Sequence, residues 1–261
     1  MKQHYRRKEE IRPVEEVEGQ LEGRNALTEA LKSGRTIDKV FIASGETDRG
    51  LQRLAAQAKE AGAVVVPVDR RKLDAMSTTG AHQGVIALAA AREYYSIDDL
   101  LQEAADRGEA PLLVICDELS DPHNLGAILR CAECAGAHGV IIPKRRSVSL
   151  TATVAKASAG AVEYMKVARV TNITATMEEL KQKGVWIFGT AAEGSVPMYQ
   201  ADLTGPTAIV IGNEGEGMSR LVQKTCDVTV HIPMKGRISS LNASAAASIL
   251  LYEAVRQRLG K

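Results

Sequence analysis

The chain has 261 residues, 33 Lys plus Arg against 32 Asp plus Glu and a formal net charge of +1, with 45% hydrophobic and 25% charged residues. This length suits one large domain or two small ones, and the balance is that of an ordinary globular protein. Near-neutrality and only nine aromatic residues exclude a protein that holds nucleic acid by bulk charge or by stacking bases along many rings, so any nucleic-acid role must rest on a local site.

Residues 1–16 carry five basic and four acidic residues and little to bury, which predicts a flexible charged arm. That stretch has no apolar core and is not expected to be a secretory signal. No apolar run approaches the length of a membrane span. From Gly19 the pattern alternates. Helices are predicted at 25–32, 49–61 (ended by Gly62) and 69–76 (capped by Asp69), with strands at 40–43, 64–68 and 84–90. This makes a small α/β domain at 17–92. Residues 93–109, with Ser96 ahead of Asp98-Asp99-Leu100-Leu101 and Gly108 at the end, predict a capped amphipathic helix linking two domains. Beyond Pro111, strands are predicted at 112–116, 139–142, 185–189, 208–212 and 228–232, and helices at 125–135, 173–183 and 240–259. Near-continuous apolar strands alternating with helices imply a second α/β domain, 110–261, with a mainly parallel sheet buried on both faces.

All four cysteines, Cys116, Cys131, Cys134 and Cys226, lie in or beside apolar segments, which suits a reducing cytoplasm. Cys131 and Cys134 form a C-x-x-C without a second ligand pair at zinc spacing. Packing on one helix face is the expectation, and no metal is expected.

Three clusters in the second half can carry chemistry. Asp117-Glu118-Leu119-Ser120-Asp121-Pro122-His123-Asn124-Leu125-Gly126-Ala127-Ile128-Leu129-Arg130 leads from a buried strand into a helix, in the position where open α/β sheets bind ligands. Asn124 could contact a ligand there, or simply cap the helix, with Arg130 a surface residue. Ile209-Val210-Ile211-Gly212-Asn213-Glu214-Gly215-Glu216-Gly217 places three glycines after an apolar strand. It is neither G-x-G-x-x-G nor a P-loop, and its carboxylates disfavour a phosphate. Glu214 suits a hydroxyl, amine or cation, and a solvated turn is the alternative. In Ile232-Pro233-Met234-Lys235-Gly236-Arg237-Ile238-Ser239-Ser240-Leu241-Asn242-Ala243-Ser244, a strand end meets a helix rich in small residues. A serine cap would explain one of its polar residues but not the set.

In order and spacing these clusters resemble the three motifs of the SpoU (TrmH-type) RNA 2′-O-ribose methyltransferases of the SPOUT superfamily. Gly23-Arg24-Asn25-Ala26-Leu27 and His82-Gln83-Gly84-Val85 are similar to that family's L30e-like substrate-binding domain. Pro143-Lys144-Arg145-Arg146 and 153–161 resemble the branch that modifies the peptidyl-transferase loop of 23S rRNA. The resemblance implies S-adenosylmethionine as methyl donor, a C-terminal trefoil knot and a homodimer formed through the catalytic domain. It implies polar site positions at Asn124, Arg130, Glu214, Ser240 and Asn242. It implies cofactor contacts at Thr190, Ala191, Gly212, Ile232, Met234 and Leu241, mostly through backbone groups. RNA contacts are expected from Arg24, Asn25, His82 and Gln83 and from the basic run Lys144, Arg145 and Arg146. The implied partner is 23S rRNA or a pre-ribosomal particle in the cytoplasm. The alternatives are a tRNA or GTPase-centre RNA as substrate, or a catalytically silent ribosome-assembly factor. The charge balance fits this reading. Residues 1–92 hold 16 basic and 13 acidic residues, and 93–261 hold 17 and 19, so near-neutrality excludes indiscriminate RNA binding rather than RNA itself.

Overall fold

The computed structural model describes residues 19–45, 48–191 and 196–260. The charged arm expected at 1–16 lies outside the described residues. The chain divides into two compact units between Ala89 and Ala90.

The first unit runs β1 (Gln20–Glu22), α1 (Arg24–Lys32), β2 (Ile37–Ala43), α2 (Arg49–Glu60), β3 (Val64–Val68), α3 (Arg70–Met76) and β4 (Val85–Ala89). Its sheet has the order β1-β4-β2-β3, with β2 and β3 parallel and the other pairs antiparallel. Asp48 starts α2 by accepting the Gly50 and Leu51 N–H groups at 2.8 and 3.2 Å, which satisfies two donors that a helix start leaves unpaired. The helix then buries Leu51, Leu54 and Ala58, at helical spacing, against Leu27, Val40 and Val85. The smaller α3 packs Leu73 with Ala43, Val68 and Ile86.

The second unit runs α4 (Ile97–Arg107), β5 (Leu112–Cys116), α5 (Pro122–Cys134), β6 (Gly139–Pro143), α6 (Ala152–Ala157), β7 (Val167–Val170), α7 (Ile173–Gln182), β8 (Trp186–Thr190), β9 (Val196–Pro197), β10 (Thr207–Ile211), α8 (Arg220–Thr225), β11 (Val228–His231) and α9 (Ala243–Leu259). Its seven strands pair in the order β7-β6-β5-β10-β8-β11-β9, and every pair is parallel. β5, β6 and β10 are buried at every position, as strands covered on both faces must be.

The segment expected as a linker helix packs within this unit. Its Ser96–Asp99 capping box and left-handed Gly108 end are present. Leu100 presses so tightly on β6 that a Cβ at Gly139 would lie 2.2 Å from Leu100 Cγ. A similar glycine contact joins two helices of the unit. At Gly126 of α5, a Cβ would meet the Ala157 Cβ of α6 at 2.5 Å. α9 buries Ala247, Leu250, Leu251 and Ala254 in the same core as Leu125, Ile128, Leu129 and Ala132 of α5. Its C-terminal end is pinned by Arg258. That half-buried guanidinium donates to the carbonyls of Ala110 (2.7 Å), Pro111 (3.0 Å), Gly205 (2.7 Å) and Leu203 (3.2 Å). α9 is thereby fixed at its C-terminal end, and Ala243 and Ala246 of its first turn face the candidate site.

Candidate active site

In a parallel sheet all the strand C-termini lie at one end, and the loops there form the ligand-binding edge. The loops following β6, β8, β10 and β11 carry the site residues expected in this unit except Asn124 and Arg130, which ride on α5, Thr190, which ends β8, and Asn242, which caps α9.

The three clusters meet through side-chain amides. α5 is capped by Asp121, whose carboxylate accepts the His123 N–H at 2.8 Å, with Pro122 at the first helical position. Asn124 is therefore not the cap. Its side chain, 6% exposed, donates from Nδ2 to Glu214 Oε1 and accepts at Oδ1 from Asn242 Nδ2 at 2.8 Å. Asn242 is the cap of α9, accepting the Ser244 and Ala245 N–H groups at 3.0 and 3.3 Å. α9 thus begins at Ala243 rather than Ser240, and Ser240 and Leu241 remain in the preceding loop. The chain Asn242–Asn124–Glu214 aligns successive amide dipoles toward one carboxylate, an arrangement in which each bond polarises the next.

The Gly-rich loop is shaped by its own backbone. Asn213 and Gly217 exchange N–H···O bonds at 3.0 and 2.9 Å, and Gly217 sits at φ +70°, where glycine is at ease. The loop folds back so closely that a Cβ at Gly212 would lie 2.3 Å from the Gly217 carbonyl carbon and the Met218 nitrogen. Two residues of these clusters, neither assigned a separate role from the sequence, complete it. Asn213 Nδ2 donates to the Glu118 carbonyl at 3.0 Å, and the buried Asp117 carboxylate accepts the Ser219 N–H at 2.7 Å. Asp117 follows β5 directly and Asn213 lies two residues beyond β10, and that position after an apolar strand was the available signal.

A cavity of about 910 Å³ opens at this edge, within the size range of small-molecule sites. Thr190, Ala191, Gly212, Ile232, Met234 and Leu241 all line it, together with Glu214 and Ser240. Gln223 of α8 and His231 of β11 line it too, and neither was singled out by motif. The walls combine Ile211, Ile232, Leu241 and Leu250 with backbone edges and the carboxylates of Glu214 and Glu216. This lining suits a flat heteroaromatic group and a positively charged centre, and does not suit a polyphosphate.

Arg130 stands apart from the cavity wall. It is exposed on α5, six residues beyond Asn124 and hence on a different helix face. Lys144, Arg145 and Arg146 form the loop after β6, where Arg146 pairs with Glu118 at 3.1 Å. In the first unit, Arg24 binds the Gln83 carbonyl through Nε at 3.2 Å and Asp48 through Nη1 at 2.6 Å, and Asn25 is exposed beside it. His82 corrects the expectation placed on it. Its side chain is buried, with Nε2 2.9 Å from Asp74 Oδ1 and Nδ1 accepting the Gly84 N–H at 3.1 Å. Both ring nitrogens are spent within the fold. The C-x-x-C also divides. Cys131 packs against the core and accepts the Ser248 hydroxyl at 2.8 Å, whereas Cys134, expected to pack, ends α5 exposed to solvent. Burial, reinforced by Asp117, pushes the Cys116 thiol up to about 12. No described helix is long and apolar enough to cross a membrane.

Comparison with known proteins places this geometry. Residues 111–252 match the SpoU rRNA methylase family, and residues 20–95 match the RNA 2′-O ribose methyltransferase substrate-binding domain. A Bacillus subtilis (strain 168) protein named for the TrmH family of tRNA/rRNA methyltransferases, YacO, is 49% identical over 90% of this chain and 94% of its own. The 23S rRNA (guanosine-2′-O-)-methyltransferase RlmB of Ralstonia nicotianae is 46% identical over 90% and 94%. Among solved structures, the SpoU methyltransferase AviRb from Streptomyces viridochromogenes, in complex with AdoMet, superposes with a TM-score of 0.60 at 26% identity, covering 93% of this chain and 91% of that one. With both its domains matched and its three polar clusters joined at one sheet edge, the chain belongs to the SpoU family of RNA methyltransferases.

Proposed function

We propose that this protein transfers a methyl group from S-adenosylmethionine to the ribose 2′-hydroxyl of one nucleotide in RNA, a guanosine in the peptidyl-transferase loop of 23S rRNA. The observation that carries the reading is the Asn242–Asn124–Glu214 chain at the cavity edge. A structural cap needs only the Asn242 bonds to α9, and the two further links serve the cavity. The relative from Ralstonia supports the 23S target. The name of the Bacillus relative, which includes tRNA, keeps a tRNA ribose as the second reading.

When bound, the methyl donor supplies a sulfonium that leaves as a neutral thioether. Thr190, Ala191, Gly212, Ile232, Met234 and Leu241 would hold it, the apolar side chains enclosing it and the backbone reading its polar edges. Glu214, oriented by Asn124, offers a carboxylate to a hydroxyl or a positive centre, and Ser240 flanks it. The rest of the task is alignment of the ribose hydroxyl and loss of its proton. A guanidinium is almost never neutral in a protein, so Arg130 does not suit the role of an ordinary base. Its role in this reading is to bind the phosphate next to the target ribose and stabilise the developing alkoxide. Its position away from the cavity wall fits action on the site of a second copy in a homodimer. Arg24, Asn25, Gln83 and the Lys144–Arg146 loop would contact the RNA. The reading also keeps the trefoil knot. β11 follows β10 in the chain yet pairs beyond β8, so the last segments return among earlier ones. The work would be done in the cytoplasm, on 23S rRNA or a pre-ribosomal particle.

The test is to map 2′-O-methyls on rRNA and tRNA with and without the gene. Loss of one 23S guanosine methyl is the expected result, and loss of a tRNA methyl would select the second reading. If no site changes and the purified protein does not bind the donor, the proposal fails. For Arg130, the Lys variant is expected to lose most turnover, because a point charge does not replace a planar fork. Near-full turnover of Arg130→Lys would remove the special role of the guanidinium.

A further inference from the structure

Residues 77–84, between α3 and β4, form a loop without regular structure, yet one carboxylate organises much of it. Glu22, at the end of β1, accepts the Ser77 hydroxyl (2.5 Å), the Thr78 amide (2.6 Å) and hydroxyl (2.8 Å), and the Thr79 amide (3.2 Å) and hydroxyl (2.5 Å). Gln20 Nε2 adds a sixth bond at 2.8 Å. A carboxylate has about four lone-pair sites, so Glu22 is saturated and has no capacity left for a ligand. Two residues on, Arg24 holds the other end of the same loop. Its backbone N–H reaches Gln83 Oε1 at 3.3 Å, and its Nε reaches the Gln83 carbonyl at 3.2 Å. Gln83 sits at φ +50°, a left-handed conformation that a side-chain-bearing residue keeps only when its surroundings hold it there. Buried His82 supplies a further anchor, to Asp74. Between the two clamps, Thr78, Thr79, Gly80, Ala81 and Gln83 are exposed.

We propose that Glu22 is a positioning residue for RNA recognition, holding the 77–83 loop in one shape so that Thr79-Gly80-Ala81 and Gln83 meet the RNA as a preassembled surface. This rests on the reading above that the first unit binds the RNA substrate. The physical reason is preorganisation. A loop ordered during folding has little ordering left to lose on binding, and that saving appears as affinity. Partial burial works against the Glu22 charge, but the hydrogen bonds from Ser77, Thr79 and Thr78 together outweigh it and keep the carboxyl well below the usual range. The clamp is therefore charged throughout the working pH range.

The experiment compares full-length Glu22→Gln with the wild type on a 23S rRNA transcript containing the peptidyl-transferase loop, measuring both methyl transfer and RNA binding. Glutamine keeps the size but turns an N–H₂ toward the loop donors. The RNA KM and Kd are expected to rise about tenfold. kcat at saturating RNA and the KM for the methyl donor should not move. The Thr78 and Thr79 amides should exchange hydrogen faster, and Glu22→Asp should recover part of the affinity. Unchanged RNA KM and Kd alongside faster amide exchange would overturn the proposal, as would a fall in kcat with KM unmoved. If Glu22→Gln does not fold, Ser77→Ala removes one buried hydroxyl donor to Glu22 that lies off the proposed RNA surface, and the same split is expected at about threefold. A wild type that binds the RNA but methylates nothing defeats only the proposed function, and the Kd ratio then decides the role of Glu22. A wild type that binds no RNA defeats both.

Discussion

Glu22 accepts six hydrogen bonds, and Glu214 accepts one among the described residues, from Asn124. Glu22 ends β1 and Glu214 follows β10, both are carboxylates, and each belongs to a different unit. In the first unit five of the six bonds come from a loop that needs an anchor and the sixth from Gln20 of β1, and the carboxylate is consumed. In the second, the single donor fixes orientation and leaves the remaining lone pairs at a cavity of about 910 Å³. The contrast teaches how to read a polar cluster: a saturated group serves the fold, whereas an oriented but unsaturated group beside a cavity is available to a ligand.

The sharpest way to break this contrast is Asn124→Ala. It removes both links of the amide chain at once, leaving Glu214 unoriented. Methyl transfer is expected to fall about 100-fold, the scale of a small misplacement of a reacting group. Stability should drop by about 1–2 kcal/mol from the loss of a buried hydrogen-bonded amide. Single-turnover methylation and urea unfolding read the two effects separately, and near-wild-type turnover would reduce the chain to a helix cap. Gly212→Ala tests the cavity side with a smaller effect. The new Cβ cannot share space with Gly217 and Met218, so the loop must open. The donor Kd, by calorimetry, is expected to rise about tenfold with RNA affinity unchanged. Unaltered donor binding would place the loop outside the donor site.

The smallest effect probes the Glu22 clamp by acid. The Glu22 carboxyl is held below its usual value in the fold. Its contribution to stability is therefore complete above the ordinary glutamate range, about pH 4.3, and is lost as pH falls below that toward the folded value. Unfolding curves of wild type and Glu22→Gln should converge as the pH is lowered through and below that range. A gap independent of pH would mean that shape rather than charge holds the loop.

Much of this architecture was legible because burial writes itself into local pattern. β5, β6 and β10 are buried at all positions and read as unbroken apolar runs. α2 announces itself by Leu51, Leu54 and Ala58, and α4 by Ser96 and Gly108. What escaped were elements whose state depends on a neighbour. β1 has three residues, β9 has two, and β7 includes Arg169. Each is a strand because an adjacent edge needs partners, not because its own pattern alternates. The caps escaped for a related reason. Asp121 and Asn124 are both competent caps for α5, as Ser240 and Asn242 are for α9. The choice falls to the residues whose remaining bonds the surroundings satisfy. Nothing local distinguished buried His82 from exposed Gln83 beside it.

The order and spacing of the three clusters, the two α/β units and the all-apolar strands were decided along the chain, since a motif of small and polar residues after a buried strand is a local chemical requirement. The site itself was decided only in three dimensions. Asn124 meets Glu214 across 90 residues and Asn242 across 118, and those distances close because β10 lies beside β5 and α9 packs on α5. Strand order and helix packing are settled by the sum of many burial contacts, so no short window of sequence could show which carboxylate would be saturated and which would be left facing the cavity.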